Sequence, residues 1–421
     1  MKVTAIIAEY NPFHNGHQYQ IEETKRITGA DYIIVVMSGN FVQRGAPALC
    51  NKYIRTQMAL AGGADIVLEL PALYATSSAE YFAQAGVTLL NKLGVIDFLS
   101  FGSEYGDIAT IKECARQLIF PTPKQEALIS TYTSMGLSYP AARQQMLLET
   151  IYPDKTDKNY SVYTQLLSSP NNILGLEYCK ALISSNSSIE PVTILRTGGY
   201  YHETDINKDI KHFASASAIR NALKENSEEY FFHLPEDVLH IFRENNISQC
   251  YITEDDFSSL LFYKLLSEEN NGFAGYLDCT QDLSDKINKH LSDYQYFTQF
   301  CTLLKSKDLT YTRISRVLFH ILLNQKTPDA YKIPLNKRNL FIPYARLLGF
   351  RKEASLVLSA IKRNSSIPLI GNIADATNYL TDQGLSMLNQ DIYTCNIYEI
   401  ISSQKSNKKP INEYKQSPII L

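Results

Sequence analysis

The sequence predicts an α/β fold with a parallel sheet, followed by a mainly α-helical region. Short apolar runs alternate with amphipathic helical patterns over residues 1–110, which is typical of strands joined by crossover helices. Beyond about residue 225 this alternation ends, and amphipathic helical patterns prevail. The change predicts a boundary near residues 224–235 and two domains, which cover residues 1–225 and 226–421.

The individual elements follow from the same patterns. Strands are predicted at 3–8, 31–37, 66–70, 96–101 and 192–195, and helices at 16–28, 53–61, 79–93 and 217–224. Residues 108–182 are mainly helical in pattern, with a polar interruption at 154–159. In the second region, helices are predicted at 256–267, 282–292, 311–324 and 351–363.

Composition excludes several classes of protein. The chain has 421 residues, more than one typical domain, and its formal net charge of −3 means that any nucleic-acid contact needs a local basic patch. No apolar run reaches the ~18 residues of a membrane helix, and no secretory leader pattern is present. The seven cysteines are dispersed without metal-ligand spacing. We therefore expect a cytoplasmic protein with reduced thiols, no membrane segment and no dedicated metal site.

The first predicted strand leads into a histidine-containing turn. Residues 11–17 are Asn-Pro-Phe-His-Asn-Gly-His, so His14 and His17 fall in the first turn of the next helix. A helix N-terminus presents unpaired N–H groups and the positive end of the helix dipole, which attract a phosphate. Imidazoles three residues apart share one face and can both donate hydrogen bonds to it. This H-x-G-H pattern after a strand predicts a phosphate site.

A second candidate for phosphate binding lies in residues 213–220. Ser215 and Ser217 stand at a predicted helix start, where serines cap N–H groups or donate hydroxyls to a phosphate. Arg220 follows one turn later and can present its guanidinium fork to the same oxyanion. The alternative is an ordinary N-cap with a surface arginine. Together with the upstream histidines, the phosphate interpretation is favoured.

Polar residues also follow other predicted strands. Residues 38–40 and 102–104 lie at carboxyl ends of strands, as His14 does, so these stretches are expected to line one pocket. Asn171 and Asn172 open a helical segment, where their amides either cap the helix or contact a purine edge.

Arg196 follows the last predicted strand and suits a phosphate or a carboxylate. The nearby Gly198 and Gly199 permit close approach of the backbone, and His202 is interpreted as a loop residue.

Two stretches concentrate positive charge. Gln43 and Arg44, with Lys52 and Arg55 nearby, either bring cations to the pocket mouth or belong to a solvated loop. Residues 332–352 contain no acidic residue, and their basic residues are Lys332, Lys337, Arg338, Arg346, Arg351 and Lys352. Phe341, Tyr344 and Phe350 lie among them. Cations among aromatic rings suit RNA, whereas the alternative is a solvated face with core phenylalanines.

Several blocks, in order, resemble a known family. They are E-Y-N-P-F-H-N-G-H (9–17), G-N-F-V-Q-R-G-x-P-A (39–48), F-G-S-E (101–104), P-N-N-I-L-G-x-E-Y (170–178), G-G-Y-Y-H (198–202), A-S-A-S-A-I-R (214–220) and P-Y-A-R-L-L-G-F (343–350). The chain thereby resembles the bacterial tRNA(Met) cytidine acetate ligase family of the HIGH-type nucleotidyltransferase superfamily. This resemblance implies a Rossmann-like parallel sheet of the HUP-type nucleotidyltransferases and a C-terminal domain that binds tRNA.

The resemblance also implies a two-step reaction with ATP. Acetate attacks the α-phosphate to give acetyl-adenylate and pyrophosphate, and N4 of the wobble cytidine of elongator tRNA(Met) then takes the acetyl group, forming N4-acetylcytidine. It implies His14 and His17 at the α-phosphate, and Ser215, Ser217 and Arg220 at the leaving pyrophosphate. Mg²⁺ is expected to bind mainly through phosphates and waters.

The nucleotide pocket implied by the resemblance combines the turn after the first strand with four other segments. Its residues are Ile7, Ala8, Glu9, Tyr10, Asn11, Pro12, Phe13, His14, Asn15, Gly16, His17, Gln18, Tyr19, Gln20, Gly102, Asn171, Asn172, Arg196 and Ser215.

Two other functions are compatible with the same phosphate motif. A small-molecule nucleotidyltransferase would transfer AMP or CMP to a phosphorylated acceptor, but it often needs only the α/β domain. A non-catalytic RNA-binding protein would not need intact His14, His17, Ser217 and Arg220. The sequence does not determine an oligomeric state.

Overall fold

The computed structural model describes residues 1–137, 139–151, 164, 166–196, 213–333 and 338–421. The predicted polar interruption at 154–159, the stretch 198–202 and Lys337 lie outside these residues. The strands are β1 (Val3–Ala8), β2 (Tyr32–Ser38), β3 (Phe41–Val42), β4 (Ala46–Pro47), β5 (Ile66–Leu70), β6 (Phe98–Ser103), β7 (Glu190–Leu195), β8 (Ala345–Phe350), β9 (Leu369–Ile370) and β10 (Ile419–Ile420).

Helices connect the strands and form most of the region beyond residue 225. They are α1 (Asn15–Thr28), α2 (Lys52–Ala61), α3 (Ala72–Ala75), α4 (Ala79–Leu93), α5 (Ile108–Ile119), α6 (Pro123–Ser134), α7 (Tyr139–Ile151), α8 (Pro170–Ser184), α9 (Ala216–Lys224), α10 (Glu236–Glu244), α11 (Ile247–Cys250), α12 (Ser258–Glu268), α13 (Gln281–Lys289), α14 (Phe297–Leu304), α15 (Tyr311–Leu322), α16 (Ser355–Asn364) and α17 (Asp382–Ser406). None of the helices in the described part of the chain is both long and apolar enough to cross a membrane.

One mostly parallel sheet organises the described residues. Its main path is β10-β8-β5-β2-β1-β6-β7, with β9 beside β8, and β3 and β4 form a separate antiparallel pair. β1 is central: it pairs in parallel with β2, from Val3 opposite Tyr32 to Ala8 opposite Met37, and with β6 on its other side. β8 is antiparallel to β5. The α/β class and the parallel arrangement predicted from alternating patterns are therefore confirmed.

Both faces of the sheet are covered by helices. Ile7 of β1 packs with the cluster that contains Phe82 of α4, whereas the neighbouring Ile6 packs with the cluster that contains Met58 of α2. Successive side chains of a strand point to opposite faces, so a strand buried on both sides reads as a continuous apolar run. This burial explains why the short runs identified these strands.

The predicted elements of the first region recur with small shifts. The strand predicted at 66–70 and the helix predicted at 79–93 have the predicted bounds, but the strand predicted at 96–101 is observed at Phe98–Ser103. It extends because Gly102 and Ser103 still pair with Ile194 and Leu195 of β7. That pairing partner is distant in sequence, so local patterns do not reveal the last two residues.

The mainly helical character predicted beyond residue 225 is confirmed, but the structure adds strands there that the sequence patterns did not indicate. β8 inserts beside β5, and β9 and β10 pair with β8. Periodicity cannot distinguish a six-residue, largely apolar segment such as β8 from part of a helix, so only the pairing reveals it. The boundary near 224–235 stays a prediction, and the chain beyond it returns to the sheet.

The same return removes Arg338, Tyr344 and Arg346 from the RNA-binding face that was one of two interpretations of residues 332–352. Arg346 and Tyr344 are buried, and the Tyr344 hydroxyl donates to Asp391 at 2.5 Å. Arg338 donates to Glu80 at 2.8 Å and stacks over Tyr81 at 4.4 Å. These side chains are occupied within the protein.

The helical region is docked onto the loop that follows β2. Phe41 of β3 packs against Phe257, Phe319 and Tyr398, with ring centroids 5.5, 5.3 and 5.9 Å away. All four rings are buried in one cluster. The loop that carries Gln43 and Arg44 is therefore anchored by a core from the C-terminal half.

Candidate active site

A cavity of about 240 Å³ lies where the chain leaves the carboxyl ends of β1 and β6. It brings together most residues of the expected nucleotide pocket, namely Ile7, Ala8, Glu9, Tyr10, Asn11, His14, His17, Gln20, Gly102, Asn171, Arg196 and Ser215. The predicted pyrophosphate residues Ser217 and Arg220 line the same cavity. Gly16 and Tyr19 line a smaller adjoining cavity of about 40 Å³. The position agrees with the rule that ligands of parallel sheets bind beyond the carboxyl ends of the strands.

The two histidines form the start of α1. His14 is the N-cap, and its Nδ1 accepts a hydrogen bond from the Gly16 backbone N–H at 3.1 Å. The Nδ1 of His17 accepts from the His14 backbone N–H at 3.2 Å. The two rings stack with centroids 3.7 Å apart. A Cβ at Gly16 would lie 2.9 Å from the His14 ring, so a side chain there would displace the imidazole.

These hydrogen bonds determine the tautomer of both rings. Because each Nδ1 accepts a backbone N–H, a neutral ring carries its proton on Nε2. Burial lowers the pKa of His14 well below its usual value, and the neighbouring His17 lowers it further. Burial, with a contribution from Arg196, lowers the pKa of His17 from 6.5 to about 3. Both residues therefore offer neutral Nε2–H donors at neutral pH.

Arg220 approaches the same turn from α9. Its Nη1 donates to the Asn11 carbonyl at 2.7 Å, and its Nη2 donates to the Ser217 hydroxyl at 3.1 Å. Burial lowers the pKa of Arg220, and the charge of Glu9 opposes this shift. Arg220 remains a cation at neutral pH because a guanidinium titrates far above it.

Ser215 has the capping function that sequence analysis left as an alternative. It is the N-cap of α9, and its hydroxyl accepts from the Ala218 backbone N–H at 3.1 Å. It also lines the cavity. Ser217 and Arg220 thus present polar groups to the cavity from the start of α9, whose first turn is held by the Ser215 cap.

Glu104 and the two asparagines connect β6 to α8. Glu104 accepts from the Asn171 side-chain amide at 2.6 Å and from the Asn172 backbone N–H at 3.0 Å. In return, Oδ1 of Asn172 accepts from the backbone N–H groups of Glu104 and Tyr105 at 2.9 and 3.1 Å. Asn172 is buried, whereas Asn171 lines the cavity. Of the two, only Asn171 lines the cavity, and its contact with a nucleotide stays a prediction.

Gly102 and Arg196 lie side by side at the ends of β6 and β7. A Cβ at Gly102 would lie 3.3 Å from Cγ of Arg196, which is tighter than an ordinary contact. Glycine therefore allows the arginine stem to cross the strand end, and Arg196 lines both the main and the adjoining cavity.

Similarity to known proteins extends over nearly the whole chain. A profile of the family described as HIGH Nucleotidyl Transferase matches residues 1–413. A tRNA(Met) cytidine acetate ligase of Clostridium perfringens is 38% identical over 422 residues, covering 100% of both chains. One from Clostridium kluyveri is 40% identical over 402 residues, covering 93% of this chain and 96% of the relative. The chain belongs to the tRNA(Met) cytidine acetate ligase family.

Solved structures agree with this membership. The apo crystal structure of Thermotoga maritima TmcAL is 28% identical and covers 100% of both chains, with a TM-score of 0.89. A second structure of TmcAL, bound with alpha-thio ATP, is also 28% identical over 100% of both chains and has a TM-score of 0.87. The fold of this ligase family therefore extends over the whole chain.

Some residues of the pocket that the family resemblance implies do not line either cavity. Phe13 is fully buried, and the ring occupies the space beside Gly62. Asn15 donates its side-chain amide to the Phe232 carbonyl at 3.0 Å. Pro12, Gln18 and Asn172 also lie outside the lining. Their binding roles stay predictions, and the structure gives Phe13 and Asn172 packing and hydrogen-bonding roles instead.

The loop after β2 contributes differently from what its sequence position implied. Residues 38–40 do not line the cavity. The carbonyls of Ser38 and Gly39 accept hydrogen bonds from Arg55, and Oδ1 of Asn40 accepts from the Lys52 backbone N–H. Lys52 and Arg55 are themselves buried. Gln43 and Arg44 do line the cavity, which agrees with the interpretation that this stretch lies at the pocket.

Sequence analysis missed an apolar part of the lining. It consists of Ala79, Phe82, Phe101, Leu174 and Tyr178. One signal was present, since Leu174 and Tyr178 follow Asn171 at helical spacing and share its face of α8. Phe82 and Phe101 gave no such signal, because apolar residues of a helix and a strand are ordinary core residues.

Proposed function

We propose that this protein is an ATP-dependent ligase that acetylates N4 of the wobble cytidine of elongator tRNA(Met) through acetyl-adenylate. One observation carries the proposal: a chain 38% identical over its whole length to a tRNA(Met) cytidine acetate ligase has two Nε2–H donors, Ser217 and Arg220 around one cavity. This set of donors suits the α-phosphate and the leaving pyrophosphate of ATP.

In the first step, an acetate oxygen attacks the α-phosphorus and the bond to the β-phosphate breaks. Acetate is already ionised at pH 7, so this step needs positioning and charge neutralisation rather than a base. His14 and His17 donate Nε2–H hydrogen bonds to the α-phosphate. Because both rings are neutral, they stabilise the charge that develops there without neutralising the acetate nucleophile.

The leaving group is held by α9. Arg220 and the Ser217 hydroxyl are already hydrogen-bonded to each other at 3.1 Å, so the pair meets the pyrophosphate without a large rearrangement. Arg44, which lines the cavity from the opposite loop, adds a second guanidinium. Two cations that line one cavity favour the departure of a polyanion.

Mg²⁺ is proposed to arrive with ATP. The described residues contain no group of three or more His, Cys, Asp or Glu side chains that could hold a metal ion. A hard cation that keeps several waters is commonly bound through substrate phosphates with few protein ligands. When bound, Mg²⁺ would neutralise phosphate charge beside Arg220.

In the second step, the base of the tRNA reaches the mixed anhydride. A nucleotide in the anticodon loop is the least costly to extrude from its stack. Residues 226–421 are proposed to hold the tRNA, on surfaces other than the buried strand β8.

The test is incubation of the purified protein with ATP, Mg²⁺, labelled acetate and bacterial tRNA, followed by mass analysis of the nucleosides. The expected product is labelled N4-acetylcytidine that depends on both ATP and acetate. Omission of either substrate is the control. Absence of that nucleoside, with AMP or CMP transfer to a phosphorylated metabolite, would establish the small-molecule nucleotidyltransferase instead.

A further inference from the structure

Glu9 is a carboxylate in the cavity to which the proposed activation of acetate assigns no chemical step. It directly follows β1 and lines the cavity with His14 and His17. Its backbone carbonyl accepts from Arg55 at 2.6 Å, and its Oε1 accepts from the Gln43 backbone N–H at 2.9 Å. Across the described part of the chain, Oε2 has no hydrogen-bond partner. The side chain is thus held by one oxygen, and the other remains available to a ligand.

A negative charge is unexpected at this position. ATP and acetate are both anions, and a carboxylate beside them raises the cost of binding either one. Arg44 and Arg220 offset part of this cost: burial lowers the pKa of both guanidiniums, and Glu9 opposes the shift in each. The available oxygen is therefore suited to a ligand group that carries N–H, which neither ATP phosphate nor acetate provides.

Tyr178 supplies a second unused hydrogen-bonding group. Its ring lines the same cavity, and its hydroxyl is buried without a hydrogen-bond partner among the described residues. Burial raises the pKa of Tyr178, and the charge of Glu9 raises it further, so the hydroxyl stays protonated and can donate. A buried donor without a partner is costly unless a ligand satisfies it.

The aromatic lining of the same cavity suits a flat ring. Phe82 and Phe101 line the cavity, and the ring of Phe101 lies 5.6 Å from that of Tyr178. Cytosine presents an N4 amine donor next to the N3 acceptor on one edge of a planar ring. An acceptor and a donor beside aromatic walls match that edge and also the N6–N1 edge of adenine, whereas they do not match the two oxygens of acetate. Separate measurement of activation and of transfer distinguishes the two bases.

We propose that Glu9 is a catalytic residue of acetyl transfer, which accepts the proton that cytidine N4 loses, and that Tyr178 orients the base by donating to N3. This inference rests on the proposed function. N4 forms a bond to the acetyl carbonyl carbon, the bond from that carbon to the AMP oxygen breaks, and AMP leaves with the electron pair. The proton of N4 moves to Oε2 of Glu9. Without such an acceptor, the new amide nitrogen would keep a positive charge.

The two half-reactions allow a direct test. The holoenzyme is incubated with ATP, Mg²⁺ and labelled acetate in the presence of pyrophosphatase, and tRNA is then added for a single turnover. Activation is measured separately, as acetate-dependent exchange of pyrophosphate into ATP. In Glu9→Gln, which keeps an oxygen for the Gln43 N–H, transfer is expected to fall by about 10²-fold or more relative to exchange.

Comparison of two variants separates a proton acceptor from a residue that only positions the base. Glu9→Gln is expected to lower the maximal rate of transfer at saturating tRNA. Tyr178→Phe is expected to raise the tRNA concentration needed for half-maximal transfer while it keeps the maximal rate. Glu22→Gln, the same change of charge at an exposed position of α1, is the matched control.

Each other outcome has a definite meaning. Equal losses of exchange and transfer in Glu9→Gln would overturn the proposal and assign Glu9 to ATP or acetate binding. Recovery of exchange by added Mg²⁺ would overturn it and make Glu9 a metal ligand. If Glu9→Gln does not fold, Glu9→Ala replaces it, and an unchanged ratio of transfer to exchange in that variant contradicts the proposal. A wild-type protein that forms no acetyl-adenylate would instead overturn the proposed function itself.

Discussion

Lys52 and Glu413 form a buried ion pair, Nζ to Oε2 at 3.0 Å, that joins α2 to the C-terminal segment. The same ammonium group lies 2.8 Å from Oε2 of Glu69 on β5. The Lys52 ammonium therefore links the central sheet to Glu413, which lies 361 positions after Lys52 in the sequence. The pair lies behind the loop that supplies Gln43 and Arg44 to the cavity, since Asn40 of that loop accepts from the Lys52 backbone N–H.

Replacement of Lys52 tests this link. Lys52→Met would leave Glu69 and Glu413 buried without their counter-charge, so the free energy of unfolding is expected to fall by about 3–5 kcal/mol. Urea denaturation measures the change, and limited proteolysis of the C-terminal segment reports whether it detaches. Lys408→Met, at an exposed position, is the control. A loss no larger than that of the control would contradict a role for the pair in stability.

The hydrogen bonds of His17 predict which replacement retains function. A glutamine amide nitrogen reaches the place of Nε2, whereas that of asparagine reaches only the place of Nδ1. His17→Asn is therefore expected to lower acetate-dependent pyrophosphate exchange by about 10²–10³-fold, as for loss of one oxyanion donor, and His17→Gln by less. Circular dichroism confirms folding. Nearly wild-type exchange in His17→Asn would contradict the placement of His17 at the α-phosphate.

The lowered pKa of His17 predicts how stability changes with pH. The unfolded chain binds a proton at His17 as the pH falls below about 6.5, while the folded protein does not until about pH 3. Unfolding therefore takes up a proton in this range, and stability is lost as the pH falls. Relative to His17→Gln, the wild type is expected to lose about 1 kcal/mol of unfolding free energy between pH 7 and pH 5.5. Urea titrations at both pH values measure this, and a constant difference would show that His17 titrates normally.

Asn171 and Asn172 are expected to behave differently despite their adjacency. Asn172→Ala removes the acceptor of two backbone N–H groups, so stability is expected to fall by about 2 kcal/mol. Asn171→Ala should instead raise the KM for ATP, with a smaller change in stability. Thermal unfolding and pyrophosphate exchange at varied ATP distinguish the two. A larger KM effect in Asn172→Ala would contradict this assignment.

Arg338 is expected to matter for stability rather than for tRNA. Arg338→Ala removes a charged hydrogen bond to Glu80 and a stacking contact with Tyr81, which together contribute about 2 kcal/mol. Filter binding of tRNA should show little change under conditions in which the variant is folded. Lys362→Ala, at an exposed position of α16, serves as control. Weaker tRNA binding without lower stability would restore the RNA-binding interpretation of residues 332–352.

Local patterns were sufficient for the first strand and the turn with His14 and His17, and they placed the start of α9 within one residue of Ala216. Each depends on neighbours within a few residues: a buried strand needs an apolar run, and a helix N-terminus needs a cap. The stretches at His14, at residues 38–40 and at residues 102–104 were expected to meet because parallel strands end at one edge of a sheet. That expectation holds for His14 and Gly102 and fails for residues 38–40, whose polar groups meet Arg55 and Lys52 instead.

By itself, the sequence determined the α/β class, the phosphate-binding turn and the resemblance to the ligase family, because these reside in contiguous residues. Only the tertiary structure decided which polar side chains face the cavity. Glu9 keeps one oxygen available while Glu104 caps a helix, and Arg220 reaches the cavity while Arg338 is engaged with Glu80. The physical reason is that the role of a polar group depends on the partner it meets, and these partners come from segments that are distant in sequence.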